Sequence, residues 1–131
     1  MKHLISAVLA TCFLAAPAFA EVVVVVNPAN GEAVSKDQIA SVYLGKSTAF
    51  MPVDQPDGSA IRGEFYKKVA DKDASQAKAL WSKLVFTGKA TPPKEVGSSA
   101  DVKKAVAANP KGIGYIEKSA VDASVKVVLT P

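Results

Sequence analysis

Beyond residue 20 the sequence contains neither cysteine nor histidine, because Cys12 and His3, the single examples of each, both precede Glu21. For the chain from Glu21 onward this excludes disulfides, thiol nucleophiles, Cys/His zinc sites and the commonest general base. A second long apolar run is also missing, so no later segment has the length of a membrane-spanning helix. No internal repeat, low-complexity segment or cofactor motif occurs. Lysines alternate with acids, and no basic stripe is interleaved with aromatics, which argues against nucleic acid as a partner.

The first twenty residues have a different character. Lys2 supplies a positive start, Leu4 to Ala16 is nearly all apolar, and Ala18-Phe19-Ala20 is a small-x-small cleavage site before Glu21. Residues 1–20 therefore read as a secretory signal peptide. Leu9-Ala10-Thr11-Cys12 is a poor rival as a lipid-attachment box, since Thr precedes the Cys and the apolar run continues past it. Removing 20 of the 131 residues leaves 111, and loss of Lys2 lowers Lys plus Arg from 16 to 15 against 12 acids, a net charge of +3. Residues 21–131 suit one domain around one core. The expected location is the periplasm, with no direct membrane span.

Within that domain the hydrophobic pattern changes period several times. Val22 to Val26 is a run of five valines without polar alternation, the mark of a strand covered on both faces. Ser35-Lys36-Asp37-Gln38 is a capping box, followed by Ile39, Val42 and Tyr43 at helical spacing and by Gly45 as a stop. Phe50 to Val53 reads as a strand. A helix from near Ser59 to Asp71–Asp73 and a second over Ser75 to Phe86 follow, with Trp81 on the core side of the latter. Gly88 to Gly97, with Thr91-Pro92-Pro93, reads as a loop. A helix over Ser98 or Ser99 to Ala108, a strand over Gly112–Ile116, a turn at Ser119–Ser124 and a last strand over Val125–Leu129 complete an α/β sandwich with a largely parallel sheet.

The stretch Asp54-Gln55-Pro56-Asp57-Gly58-Ser59-Ala60-Ile61-Arg62 joins a strand end to a helix start through a polar turn. Early helix amides have no intrahelical acceptor, the helix dipole places partial positive charge there, and Gly58 permits close approach, so the turn can receive an anion. Ser59 adds a hydroxyl and Arg62 a guanidinium. Two plainer roles stand beside this: Ser59 or Asp57 as a helix cap, and Arg62 as a surface or aspartate-paired residue.

Three segments together resemble the phosphate-transporter substrate-binding proteins, the PstS-like periplasmic binding proteins of type II fold. Ser35 to Lys46 is similar to that family's helix-to-Gly-Lys segment. Gly58-Ser59-Ala60-Ile61-Arg62-Gly63-Glu64-Phe65 resembles its Gly-Ser-Gly-Thr-Arg-x-x-Phe phosphate loop, and Asn109 to Ile116 resembles its Pro-Gly-Ala-Ile-Gly-Tyr segment. The resemblance implies a three-layer α/β/α lobe, phosphate or a related oxyanion as ligand, and delivery to an ABC permease. Family members are two-lobed clamshells, whereas this chain has the length of a single lobe, so a second lobe-like chain or a homo-oligomer would supply the opposite wall. Ala60-Ile61 replaces Gly-Thr, and Gln55 stands where the family often has an Arg.

The ligand-binding candidates are thus Gly58, Ser59, the N–H groups of Ser59, Ala60 and Ile61, Arg62, Gln55, and Asp57 as a cap or as acceptor of a phosphate proton. The alternative is an accessory protein-interaction domain that kept the fold and lost the anion. Enzymatic function is not expected: only Asp54/Asp57 or a Lys–Ser pair could move protons, and no metal-ligating set is present.

Overall fold

The computed structural model describes residues 21–31 and 33–131. The expected signal peptide lies outside the described residues. The elements run β1 (Val22–Val26), α1 (Lys36–Tyr43), β2 (Met51–Asp54), α2 (Ala60–Ala70), α3 (Ala74–Phe86), β3 (Lys94–Glu95), α4 (Ser99–Ala107), β4 (Gly112–Glu117), a 3-10 turn (Lys118–Ala120) and β5 (Lys126–Leu129). Side-chain capping starts three of the four α-helices among the described residues. Ser35 and Asp73 each close a reciprocal box with a glutamine three residues on, and Ser98 accepts from the Asp101 amide. Gly45 follows α1 with φ +77°, a conformation open to glycine, and a Cβ there would come within 2.7 Å of Leu84 Cδ1.

The five strands form one sheet in the order β3-β2-β4-β1-β5. β2 pairs in parallel with β3 and with β4, while β1 is antiparallel to both β4 and β5. Four strands therefore point one way, and the valine strand runs against them. The sequence-based loop over Gly88–Gly97 contains β3, a strand of two residues joined to Val53 and Asp54.

Alternate valines of β1 serve different layers, which is why the run needs no polar position. Val22, Val24 and Val26 pack with Ile39, Tyr43, Phe65, Tyr66 and Ala77 of α1, α2 and α3. Val23 and Val25 pack with Val102 and Val106 of α4 and with Ile116. The result is the expected α/β/α sandwich. On the α4 side the helix lies directly on β4, because Gly112 and Gly114 present no side chain. A Cβ at Gly112 would sit 2.9 Å from Val106 Cα, and one at Gly114 would run into the Val102 side chain. Trp81 is core, with its Nε1–H donating to the Tyr43 carbonyl at 2.7 Å.

Candidate functional site

β2 ends at Asp54 and leads through residues 55–59 into α2, and β3 ends at Glu95 and leads through residues 96–98 into α4. Two helices thus begin at the same end of parallel strands, the usual place for a ligand crevice in an open α/β sheet. The Val96 amide donates to the Asp54 carbonyl at 2.9 Å and ties the two connections together.

Gln55 is the bracket between them. Only 3% exposed, it donates from Nε2 to the Tyr115 carbonyl at 3.0 Å and to Ser99 Oγ at 3.3 Å, and its Oε1 accepts from Ser59 Oγ at 3.2 Å. One side-chain amide therefore holds the first serine of α4 and the serine that precedes α2. Gln55 has no donor left for a ligand. Ser99 accepts in this chain and keeps its own hydroxyl proton for donation. Sequence reasoning placed Ser99 only as a helix start; the Ser98-Ser99 pair was the available signal, and what was missing was its proximity to Gln55.

At the head of α2, Ser59 is in extended conformation and makes no side-chain cap. Its N–H donates to the Pro56 carbonyl at 2.9 Å, so this amide, expected to face a ligand, is spent on the turn. The Arg62 amide takes the Ser59 carbonyl at 3.2 Å. The Ala60 and Ile61 amides find no acceptor among the described residues and remain the open donors. The Ile61 side chain is buried in the core, so only its backbone is available to a ligand. Gly58 has open space around it, as close approach to the turn requires.

Beneath the turn lies a charged network. Asp54, 4% exposed, accepts from the Tyr66 hydroxyl at 2.6 Å, from the Gln55 amide at 2.8 Å and from the Tyr115 hydroxyl in a short contact. Burial, reinforced by the Asp54 charge, raises the pKa of both hydroxyls well above that of an ordinary tyrosine. Burial and Asp54 act in the same direction on Tyr43. Arg62, 6% exposed, lies 3.9 Å from Asp54, pairs with Asp57 at 3.0 Å and donates to the Gln55 carbonyl at 2.8 Å. Burial pushes its guanidinium down, and Asp54, the tyrosines and Asp57 more than offset this, leaving its pKa raised. The guanidinium also sits over the Tyr66 ring, 5.7 Å from its centroid. Asp57 caps nothing; the hydrogen bond from Lys78 and the charge of Arg62 hold its carboxyl below the usual range. Of the two roles open to Arg62, the geometry displays the aspartate-paired one, and the guanidinium locks the turn to α2.

The chain was compared with known proteins on this footing. No protein-family model matches it, and no curated protein matches it. Solved structures do match. An ABC-type phosphate transport receptor from Vibrio cholerae superposes with a TM-score of 0.64 and 22% identity, covering 82% of this chain and 45% of that one. A protein assigned as a phosphate ABC transporter substrate-binding protein from Clostridium perfringens, solved with bound phosphate, gives 0.65 and 25%, covering 82% and 44%. The fold is that of a PstS-like single lobe. The chain spans less than half the length of either solved neighbour. Both neighbours are named for transport or substrate binding and neither as an enzyme, in keeping with the absence of a catalytic constellation in the sequence. Among the described residues of the lobe, no helix is long and apolar enough to cross a membrane, and no cluster of His, Cys, Asp and Glu could hold a metal.

Among the described residues, two surface cavities bear on the site. The larger, about 660 Å³, lies over β2 between Val42, Phe50, Trp81 and Ala105 and shares no residue with the turn 55–62. The smaller, about 510 Å³, is bordered by Asp54, Asp57 and Arg62 and extends to the end of α3.

Proposed function

We propose that the protein is a periplasmic solute-binding lobe that holds phosphate or a related oxyanion at the head of α2 and serves an ABC permease. The observation that carries this reading is the pair of open Ala60 and Ile61 amides at the head of α2 together with the Ser99 hydroxyl, whose oxygen Gln55 holds and whose proton is free to donate, while the Ser59 hydroxyl is spent on Gln55. An oxyanion presents several acceptors to such donors, and the starts of α2 and α4 add partial positive charge from two directions. Arg62 supplies rigidity more than direct charge, since Asp54 and Asp57 already engage it. Recognition by neutral donors fits a small anion that must be released again. The bound phosphate in the Clostridium perfringens neighbour supports the same ligand class. Gly58 and Asp57 complete the rim.

Calorimetric titration with inorganic phosphate, and separately with sulfate, tests the proposal. Saturable heat is expected at millimolar anion or below, and Ser99→Ala should weaken binding about tenfold, the lower end for a hydrogen bond to a charged group. No heat with any oxyanion at millimolar concentration overturns it and leaves the protein-interaction reading in its place.

A further inference from the structure

The longest α-helix among the described residues is also the least covered of them. Of the thirteen residues of α3 only Ala77 and Trp81 are buried. Helices of globular domains normally hide an apolar stripe about three residues wide for every two turns. Here the C-terminal turn points apolar side chains at water instead: Val85 is half exposed, and Phe86 is 91% exposed. A phenylalanine ring normally buries about 150–250 Å². Beside this ring lies the 510 Å³ cavity, with apolar walls from Trp81, Pro92 and Pro93 and a rim carrying Asp57, Lys78 and Glu95.

We infer that this face docks a second copy of the same chain about a twofold axis. A twofold interface must be complementary to itself, because each residue that contacts another is contacted by its counterpart in return. This face meets that condition. It carries a projecting aromatic ring next to an apolar-walled cavity, and its rim carries acids and bases together, so neither apolar nor charged groups are left unmatched when the patch meets itself. The rim is balanced within the lobe, Asp57 pairing with Lys78 at 2.9 Å and with Arg62 at 3.0 Å, so it favours a partner face of equally balanced charge over a strongly acidic or basic one. The solved neighbours are more than twice as long as the stretch they share with this chain, so there the same fold is joined to as much chain again. The cavity is continuous with Asp57 and Arg62 of the candidate site. A copy seated on α3 therefore covers one flank of the turn that a single lobe leaves open. Docking itself rests on the exposed face; its consequence for the ligand rests on the anion-binding reading.

Sedimentation velocity of the purified protein over roughly 1 to 100 µM, where self-association is concentration-dependent, tests the inference. A dimer is expected for the wild type. Phe86→Glu should weaken dimerisation about a hundredfold or more, as loss of a central aromatic anchor at both copies does, with an unchanged far-ultraviolet circular dichroism spectrum. Met51→Glu, which alters an exposed residue outside this cavity, should leave the dimer intact. A wild type that stays monomeric throughout the range, or a Phe86→Glu protein that dimerises like the wild type, overturns the inference. Titration of each protein with inorganic phosphate separates it from the anion reading. A wild-type dimer that gives no heat leaves docking standing and removes phosphate. A monomer that binds phosphate removes docking alone.

Discussion

Replacing Asp54 by Asn tests whether the buried network under the turn carries the stability its geometry implies. The carboxylate is 4% exposed and gathers three donors, the Tyr66 and Tyr115 hydroxyls and the Gln55 amide, with Arg62 as its buried countercharge. Asparagine keeps the shape and one acceptor oxygen, but its NH2 group faces a donor, so at least one buried hydroxyl must turn away. A hydrogen bond to a charged group contributes about 1.5–3 kcal/mol, and removing one member of a buried ion pair costs about 3–5 kcal/mol. Arg62 Nε already lacks a hydrogen-bond partner, which leaves little slack. Asp57 still neutralises part of the guanidinium, and the expected loss is about 4 kcal/mol, a large share of a stability of about 5–15 kcal/mol. Urea denaturation at neutral pH, followed by tryptophan fluorescence, should show the midpoint fall by about 2–3 M with an unchanged slope. Tyr115→Phe should cost less, and the double variant less than the sum. A loss under about 1 kcal/mol for Asp54→Asn, the size of an ordinary surface substitution, refutes the reasoning.

The three tyrosines all have raised pKa values in the fold, through burial first and the Asp54 charge second. In the unfolded chain they ionise near pH 10, so stability is complete below that pH and falls as pH rises above it, by up to about 4 kcal/mol per unit when all three phenols differ. Phenolate absorbance should therefore stay low in the native protein at pH 11 and rise in guanidinium; equal titration in both sinks the idea. Gly112→Ala sets a methyl against the Val106 backbone, which cannot step aside, and should cost about 1–3 kcal/mol in urea melts. Asp73→Ala removes the side-chain acceptor of the α3 capping box, leaving the backbone N–H of residue 73 on Gln76, and should cost about 1 kcal/mol, read by the same melts and contradicted by an unmoved midpoint.

Local signals in the sequence were strong where one residue type decides one element. The five valines require cover on both faces, and the serine, aspartate and glutamine positions that start helices are capping patterns with a direct physical meaning. β3 was not legible, because two residues of Lys and Glu have no periodicity and exist as a strand only through their neighbours on β2. Nor could sequence show that β1 opposes the other strands, since a fully buried run has the same appearance in either direction. At the site, the turn from Gln55 to Arg62 was found from its local order. Its internal wiring was not: Tyr66 and Tyr115 reach Asp54 from elements far apart in sequence, and Ser99 meets Gln55 only because glycines let α4 settle onto β4. Phe86 fits the helical pattern of α3, and pattern alone carries no information about which side of a helix goes uncovered.

The position of β1 also bears on how the chain comes to be folded. Its edges are filled by the two strands made last: Val22 lies opposite Glu117, and Val26 opposite both Ile113 and Lys126. Until those residues are available, five valines in a row have two open edges, the condition under which strands pair with the wrong chain. Closure of β1 therefore waits for residues about ninety positions or more downstream and pays the entropy of a long loop at the outset, so slow folding is expected. A chain that loses β5 keeps its most aggregation-prone segment exposed along one edge.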